Sequence, residues 1–241
     1  MKIAIISDIH GNSEAFREVA ADWGRAGIDT AVSLGDNVGY GPDPDEVVQQ
    51  IRSMKIPSVM GNHELGIARP EYLTWFNESA RKSLLLTEQL ISPETKDWIT
   101  QLPSTLVLED CLLVHGCPPD SITDYLFEAR GRQLIRIFEK MKQHLCFVGH
   151  THTLELVSFR DGRADRSDIG QETIRLDEGT KYIINAGSVG QPRDGDNCAK
   201  YLIWDSLEKS VEVRFVPYDI AVTSEKIIRL GFPRINATRL W

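Results

Sequence analysis

The sequence predicts an α/β protein: a four-layer αββα sandwich of two mixed β-sheets flanked by helices. Three observations carry this. Residues 2–60 alternate strand-like apolar runs with amphipathic helical stretches, the pattern of a layered α/β core. Beyond residue 150 the chain turns to strand after strand, which calls for a second sheet. The chemistry-bearing residues of both halves fall at strand ends, so residues 1–241 read as one domain sharing one site.

The elements follow in order. Residues 2–7 (KIAIIS) are apolar on both faces of a pleat, as in a buried strand. A turn leads to a helix at 13–26, with Phe16, Val19, Ala20 and Trp23 on one stripe. Residues 30–34 are a second buried strand. A helix at 44–54 has Pro44 in its first turn and Asp43 as its cap. Residues 56–60 read as a third strand. From residue 65 the pattern becomes polar and helical, carrying Tyr72, Trp75 and Trp98. It predicts helices at 70–86 and 93–100 in an insert spanning about 65–105. Short strands at 106–109 and 111–115 meet at a tight turn, and 122–142 reads as a helix weakened by Gly131. Further strands are expected at 145–148, 154–159, 172–176, 181–184, 199–205 and 211–217. Residues 160–170 read as a polar, mobile hairpin loop, 220–230 as a last helix and 231–241 as a tail.

Composition excludes several classes. With 41% apolar and 26% charged residues in 241, the chain is neither disordered, collagen-like nor a coiled coil. Lys plus Arg is 27 and Asp plus Glu is 35, a net charge of 27 − 35 = −8. Such a chain is a poor default partner for nucleic acid or an anionic membrane. Phosphate-bearing substrates stay open, because a bound metal reverses the local sign. No apolar run approaches a membrane span and no cleavage-site pattern follows the start, so a cytoplasmic location is expected. Cys111, Cys117, Cys146 and Cys198 match no zinc-binding spacing and read as unpaired thiols.

Five of the six histidines have informative positions. His10, His63, His115, His150 and His152 each follow a strand-like run within a few residues, as do Asp8, Asp36 and Asn62. Only His144 lies outside the pattern, in solvated helix-end sequence. In α/β sheets, ligands bind beyond the carboxyl ends of strands. Carboxylate with imidazole and no thiol suits Mn, Fe, Co, Ni or Zn. With His63 held back, two Asp, one Asn and four His exceed one ion's needs and suit two ions bridged by a carboxylate, a device for phosphoryl transfer.

The motifs SDIHGN (7–12), GDNVGYGP (35–42), GNHE (61–64), VHG (114–116) and GHTH (149–152) occur in that order. Together they resemble the calcineurin-like metallophosphoesterases. NAGSVGQPRDGD (185–196) resembles the closing segment of that family's small bacterial and archaeal branch. The resemblance implies that Asp8, His10 and His152 bind a first divalent ion, with manganese foremost and Fe, Ni, Zn or Co as alternatives. It implies Asn62, His115 and His150 at a second ion and Asp36 bridging the two. Asp36, Asn62 and His63 would serve catalysis. Asn62 and His63 would face the phosphate, and His63, holding no metal, would in protonated form donate to the leaving oxygen. Backbone geometry is expected to be extended through 150–152 and turned at 8–11, where Gly11 gives freedom. Glycines 35, 61, 116 and 149 flank the other candidates and leave room for metals and phosphate.

The implied reaction is hydrolysis of phosphate esters, mono- or diester, through a metal-activated water. The substrate would be a small phosphorylated molecule or nucleotide. Dinucleoside polyphosphate hydrolase and Ser/Thr protein phosphatase, with a phosphoprotein substrate, are alternatives. The protein phosphatases carry Arg in a GDxxDRG pattern, whereas this chain reads GDNVGYG and lacks that cation. Arg193 is the candidate substitute. Tyr40 and the stretch of Pro118, Pro119, Asp120 and Tyr125 are candidate substrate contacts. A non-enzymatic protein-binding scaffold is disfavoured because no key group is missing.

Overall fold

Strands sort into two sheets in the computed structural model, which describes residues 1–241. In chain order the elements are β1 (Lys2–Ile6), α1 (Ser13–Ala26), β2 (Thr30–Ser33), α2 (Pro44–Ser53), α3 (Asn62–Ala68), α4 (Glu78–Leu90), α5 (Pro93–Thr100), β3 (Thr105–Leu108) and β4 (Cys111–Val114). They continue with α6 (Arg132–Lys140), β5 (Leu145–Val148), β6 (Leu154–Arg160), β7 (Arg163–Asp168), β8 (Thr173–Arg175), β9 (Lys181–Ala186), β10 (Ala199–Asp205), β11 (Ser210–Val216), α7 (Ile220–Arg229) and α8 (Arg234–Thr238). Segments of 3₁₀ helix lie at Pro70–Trp75 and Leu126–Glu128.

One sheet has the order β2-β1-β10-β11-β8 and the other β3-β4-β5-β9-β6-β7. Both are mixed: β1 and β2 pair in parallel, as do β4, β5 and β9, and the other pairs are antiparallel. The two-faced apolarity of β1 has a direct cause. Ile3 and Ile5 pack between the sheets with Leu113, Phe147, Ile184 and Leu202. Ala4 and Ile6 pack outward against Phe16 and Val19 of α1 and Ile51 of α2. Across the other sheet, Val114, Cys146 and Ile183 face Leu134 and Phe138 of α6. Both sheets are thus covered on two sides, giving the four layers predicted. Each fully buried Ile or Phe contributes about 1.5–3 kcal/mol. No helix is long and apolar enough to cross a membrane.

Several local expectations are corrected. Residues 56–60 form no strand: Ser58 makes a single bridge to Ser33, and Pro57 has no N–H for a ladder. The helix expected at 70–86 is a 3₁₀ segment, then α4, broken where Asn77 accepts the Ala80 N–H at 2.9 Å as an N-cap. α3 was not anticipated. Of 122–142 only 132–140 is α-helical, because Gly131 takes φ +49. The hairpin expected at 160–170 is present, with 163–168 in strand rather than loop. Asp161 and Gly162, both at positive φ, close a two-residue hairpin between β6 and β7. The tail carries α8. Asp43 stands before α2 without capping it, accepting instead from Ser13 and Lys226.

Asp22 ties α1, which leaves the first candidate-ligand loop, to the sheet. Its carboxylate is buried and accepts from the Tyr201 hydroxyl at 2.8 Å and from Arg214 Nη2 at 2.9 Å. Burial raises its pKa, but Tyr201 and Arg214 outweigh burial and hold it below the ordinary 3.8. A carboxyl with a lowered folded-state pKa adds stability that is present above the unfolded value and lost as pH falls below it. Asp22→Asn is therefore expected to cost about 2–3 kcal/mol at pH 7. The difference from the parent should shrink below pH 4 in urea melts followed across pH.

Candidate active site

The carboxyl ends of β1, β2, β4, β5 and β9 meet along one edge of the two sheets and deliver the loops that follow them. Asp8, His10, Asp36, His150 and His152 all take left-handed backbone, with φ between +51 and +69. Such φ values are uncommon outside glycine, and Asp and His are among the residues that tolerate them. Each turns a side chain inward from the end of its strand. This corrects the expectation of an extended backbone through 150–152, since both histidines are left-handed. An extended backbone would have placed residues two apart on the same face. The loops also press close: a Cβ on Gly61 would run into Asp36, and one on Gly149 into Ser7 and Asp8.

Two groups of donors result, each with its ligand atoms within 4.8 Å of one another: Asp8, His10, Asp36 and His152, and Asp36, His115 and His150. Asp36 belongs to both. In the first group His10 Nε2 lies 3.1 Å from His152 Nε2, which is 3.2 Å from Asp8 Oδ1. In the second, His115 Nε2 is 3.3 Å from Asp36 Oδ2 and 3.1 Å from Asn62 Oδ1.

Backbone carbonyls assign the imidazole tautomers. His10 Nδ1 faces Val38 O at 3.0 Å, His115 Nδ1 faces Leu34 O at 2.8 Å and His152 Nδ1 faces Gln191 O at 2.6 Å. A carbonyl only accepts, so these Nδ1 atoms carry the hydrogens and the Nε2 lone pairs of the neutral rings point inward. His150 is turned the other way. Its Nε2 faces Thr123 O at 3.1 Å, leaving Nδ1 as its free lone pair. Lone pairs thus face lone pairs and carboxylate oxygens, and Asp8 Oδ1 has no hydrogen-bond partner. An arrangement of acceptors without donors fits divalent cations, the carbonyl contacts serving to orient each ring.

The electrostatics agree. Burial raises Asp8 and Asp36, but His152 beside the former and His115 beside the latter outweigh it and hold both carboxyls well below their usual range. Burial lowers His150 to about 3 and His152 to about 4, so both rings are neutral at pH 7. Burial also opposes charge on His115, yet Asp36 raises it to about 9, so with no cation beside it this ring takes a second proton on Nε2: that pocket draws a positive charge, a proton or a metal ion.

His63 stands outside both groups. Its backbone N–H donates to Asp36 Oδ1 at 2.8 Å, and its ring packs against His10, Tyr40 and Phe76 at centroid distances of 4.7, 4.4 and 5.3 Å. Burial holds its pKa well below the ordinary value of 6.5, which favours the neutral ring. Its Nδ1 has no partner. Arg193 is exposed at the rim. Its backbone N–H donates to His152 O at 3.1 Å, and its guanidinium lies 5.9 Å from the centre of the Tyr40 ring.

Supporting residues had escaped the sequence reading. Glu64, fully buried, accepts from the N–H groups of Asp36 at 2.8 Å, Asn37 at 2.7 Å and Gly61 at 2.9 Å, clamping the second and third motifs together. Burial and the Asp36 carboxylate push it up to about 7, against the pull of those donors. Its signal was available: GNHE places a Glu at the third position of a helix, as in a capping box. Asn185 donates to Gly149 O at 2.7 Å and Ser188 to Asp8 O at 2.8 Å. Lys200 Nζ, wholly buried, donates to Asp194 Oδ1 and Asp196 O, both at 2.8 Å, and so pins the loop carrying Arg193. Asn236 of α8 donates to Tyr40 O at 3.0 Å and Ser83 at 2.9 Å, fastening the tail to the site.

A cleft of about 400 Å³ opens beside the second group, with Asn62 and His150 in its lining. Tyr40 and Tyr125 reach it; Pro118, Pro119 and Asp120 do not.

A family model described as the calcineurin-like phosphoesterase superfamily domain matches residues 1–209. An uncharacterised protein of Methanocaldococcus jannaschii is 37% identical over 246 aligned residues, covering 99% of this chain and 97% of its own. The crystal structure of a metallophosphoesterase from Sphaerobacter thermophilus superposes with a TM-score of 0.84 at 36% identity, over 100% of this chain and 98% of that one. A hypothetical protein from Pyrococcus horikoshii shares the fold at a TM-score of 0.82 and 18% identity, over 100% and 97% of the two chains.

Proposed function

Since the chain belongs to the calcineurin-like phosphoesterase superfamily, we propose that it hydrolyses phosphate mono- or diesters of small molecules with two divalent ions. One observation carries this reading: four imidazoles, each oriented by a backbone carbonyl, aim lone pairs at two carboxylates in two groups that share Asp36. Asp8, His10, Asp36 and His152 would hold one ion, and Asp36, Asn62, His115 and His150 the other. Such ions supply Lewis acidity toward phosphoryl oxygens and activate a water. Oxygen donors without a thiolate favour manganese, and the imidazoles also suit Fe, Ni, Zn or Co. Four unpaired cysteines support a reducing, cytoplasmic setting.

The chain's own groups supply the rest. Asn62, on the face toward the cleft, orients the phosphoryl group. His63 acts as a neutral N–H donor to a phosphoryl or leaving oxygen, a role burial permits. Aligned on GDxxDRG, the Arg position is Tyr40, and the Arg193 guanidinium lies over that ring. A guanidinium there would grip a phosphate oxygen. Protein phosphatase and dinucleoside polyphosphate activities remain secondary readings.

The test is metal analysis with parallel assays on p-nitrophenyl phosphate and bis-p-nitrophenyl phosphate, in manganese and then nickel. Chelation should abolish turnover and re-addition restore it; metal-independent turnover, or loaded protein inert toward both esters, would overturn the proposal. His63→Ala is expected to keep its metals while kcat drops about 10²–10³-fold. Loss of an ion in that variant would instead place His63 among the ligands.

A further inference from the structure

The cleft beside the second donor group is walled by aromatic rings and acids, with no Lys or Arg in its lining. Tyr72 and Trp75 form one wall, their rings in edge contact at 4.6 Å, and Trp75 is 68% exposed. Tyr125 also lines the cleft, stacked on His150 at 4.0 Å with 19° between planes. Asp124 and Glu128, both exposed, stand at the same opening.

We propose that this cleft holds the base of a nucleoside whose phosphate ester is the substrate. This rests on the phosphoesterase reading and specifies its leaving group. Asn62 and His150 line the cleft and belong to the second donor group, so a group seated there is contiguous with a phosphoryl group at Asp36 and His115. An indole left open on a cleft wall offers a flat face, and base–aromatic stacking uses such faces. The acids accept hydrogen bonds from amino and imino N–H groups on a base edge. The volume suits a compact small-molecule site, for which about 300–1,000 Å³ is usual. A lining of acids without cations repels a polyphosphate tail, which sets a mononucleotide or nucleoside ester above a dinucleoside polyphosphate.

Calorimetric titration of the manganese-loaded protein with adenosine tests the subsite apart from turnover. Saturable binding is expected, weakened about tenfold in Trp75→Ala, the effect of one base–aromatic stack. Trp75 is largely exposed, so its removal does not threaten folding. In turnover, kcat/KM for adenosine monophosphate relative to glycerol phosphate should fall about tenfold in the same variant, with the change in KM. Asp124→Ala with Glu128→Ala, which removes both acceptors at two exposed positions, distinguishes a nucleoside from any aryl group. Adenosine monophosphate should lose kcat/KM relative to p-nitrophenyl phosphate, and equal losses on both would overturn the assignment to a base. No adenosine binding alongside intact glycerol phosphate hydrolysis would overturn the subsite and leave the phosphoesterase reading standing. Adenosine binding without hydrolysis of any ester would support the subsite and overturn that reading.

Discussion

Asp36→Asn is expected to reduce turnover about a thousandfold or more and to lower the affinity for both ions. Asp36 is the one carboxylate common to the two donor groups. Its Oδ2 faces His10 Nε2 at 3.7 Å and His115 Nε2 at 3.3 Å, while Oδ1 accepts the His63 N–H at 2.8 Å. An asparagine oxygen can keep the bond to His63, so the loop should stay in place. The amide nitrogen then turns N–H groups toward the lone pairs of His10 and His115, where a cation is needed. The loss combines a missing negative charge with a donor in an acceptor position. Several kcal/mol of transition-state stabilisation by metal ions corresponds to that fall in rate. Metal content after dialysis, with kcat on bis-p-nitrophenyl phosphate, checks it. Two retained ions with near-parent turnover would remove Asp36 from the shared position.

Glu64→Ala is expected to act on the same site without touching it. Three backbone donors, on Asp36, Asn37 and Gly61, would lose a buried acceptor at 2.7–2.9 Å, and Val38 N–H a longer one at 3.4 Å. An orphaned buried donor costs about 1–3 kcal/mol, and partial access of water to the new cavity limits the sum to about 3–5 kcal/mol. Asp36 and Asn62 lie on the two loops that Glu64 joins, so metal affinity should drop about 10–100-fold, as for other outer residues that orient ligands. Glu64→Gln retains one oxygen acceptor and should fall between parent and alanine in both measures. Thermal unfolding of the metal-free protein separates the stability loss from the affinity loss, which metal titration reads. Unchanged stability of the metal-free Glu64→Ala protein would refute the clamp.

The layers were readable because burial leaves a period in the sequence. β1 is apolar on both faces and is covered on both. The stripe of α1 ends against β10. Errors came where a single residue outweighed the period. Pro57 denied residues 56–60 a ladder, Asn77 restarted a helix, and Asp161-Gly162 tightened the expected hairpin to two residues, leaving 163–168 as strand. The lone buried Lys200 and the Asn236 link from the tail left no periodic trace, since each depends on one specific distant partner.

The sequence by itself determined which donors this protein owns and that they arrive at strand ends: Asp8, His10, Asp36, Asn62, His115, His150 and His152 all come from short motifs beside apolar runs. Tertiary structure alone decided how they face. His10 is oriented by Val38, His115 by Leu34 and His152 by Gln191, at separations of 28, 81 and 39 residues, and His10 meets His152 across 142. A local pattern encodes whether a residue is buried and which atoms it offers. The nitrogen that carries the hydrogen is chosen by a carbonyl from another segment, and the charge of the pocket by carboxylates from others still. Those relations exist only once the sheets have closed.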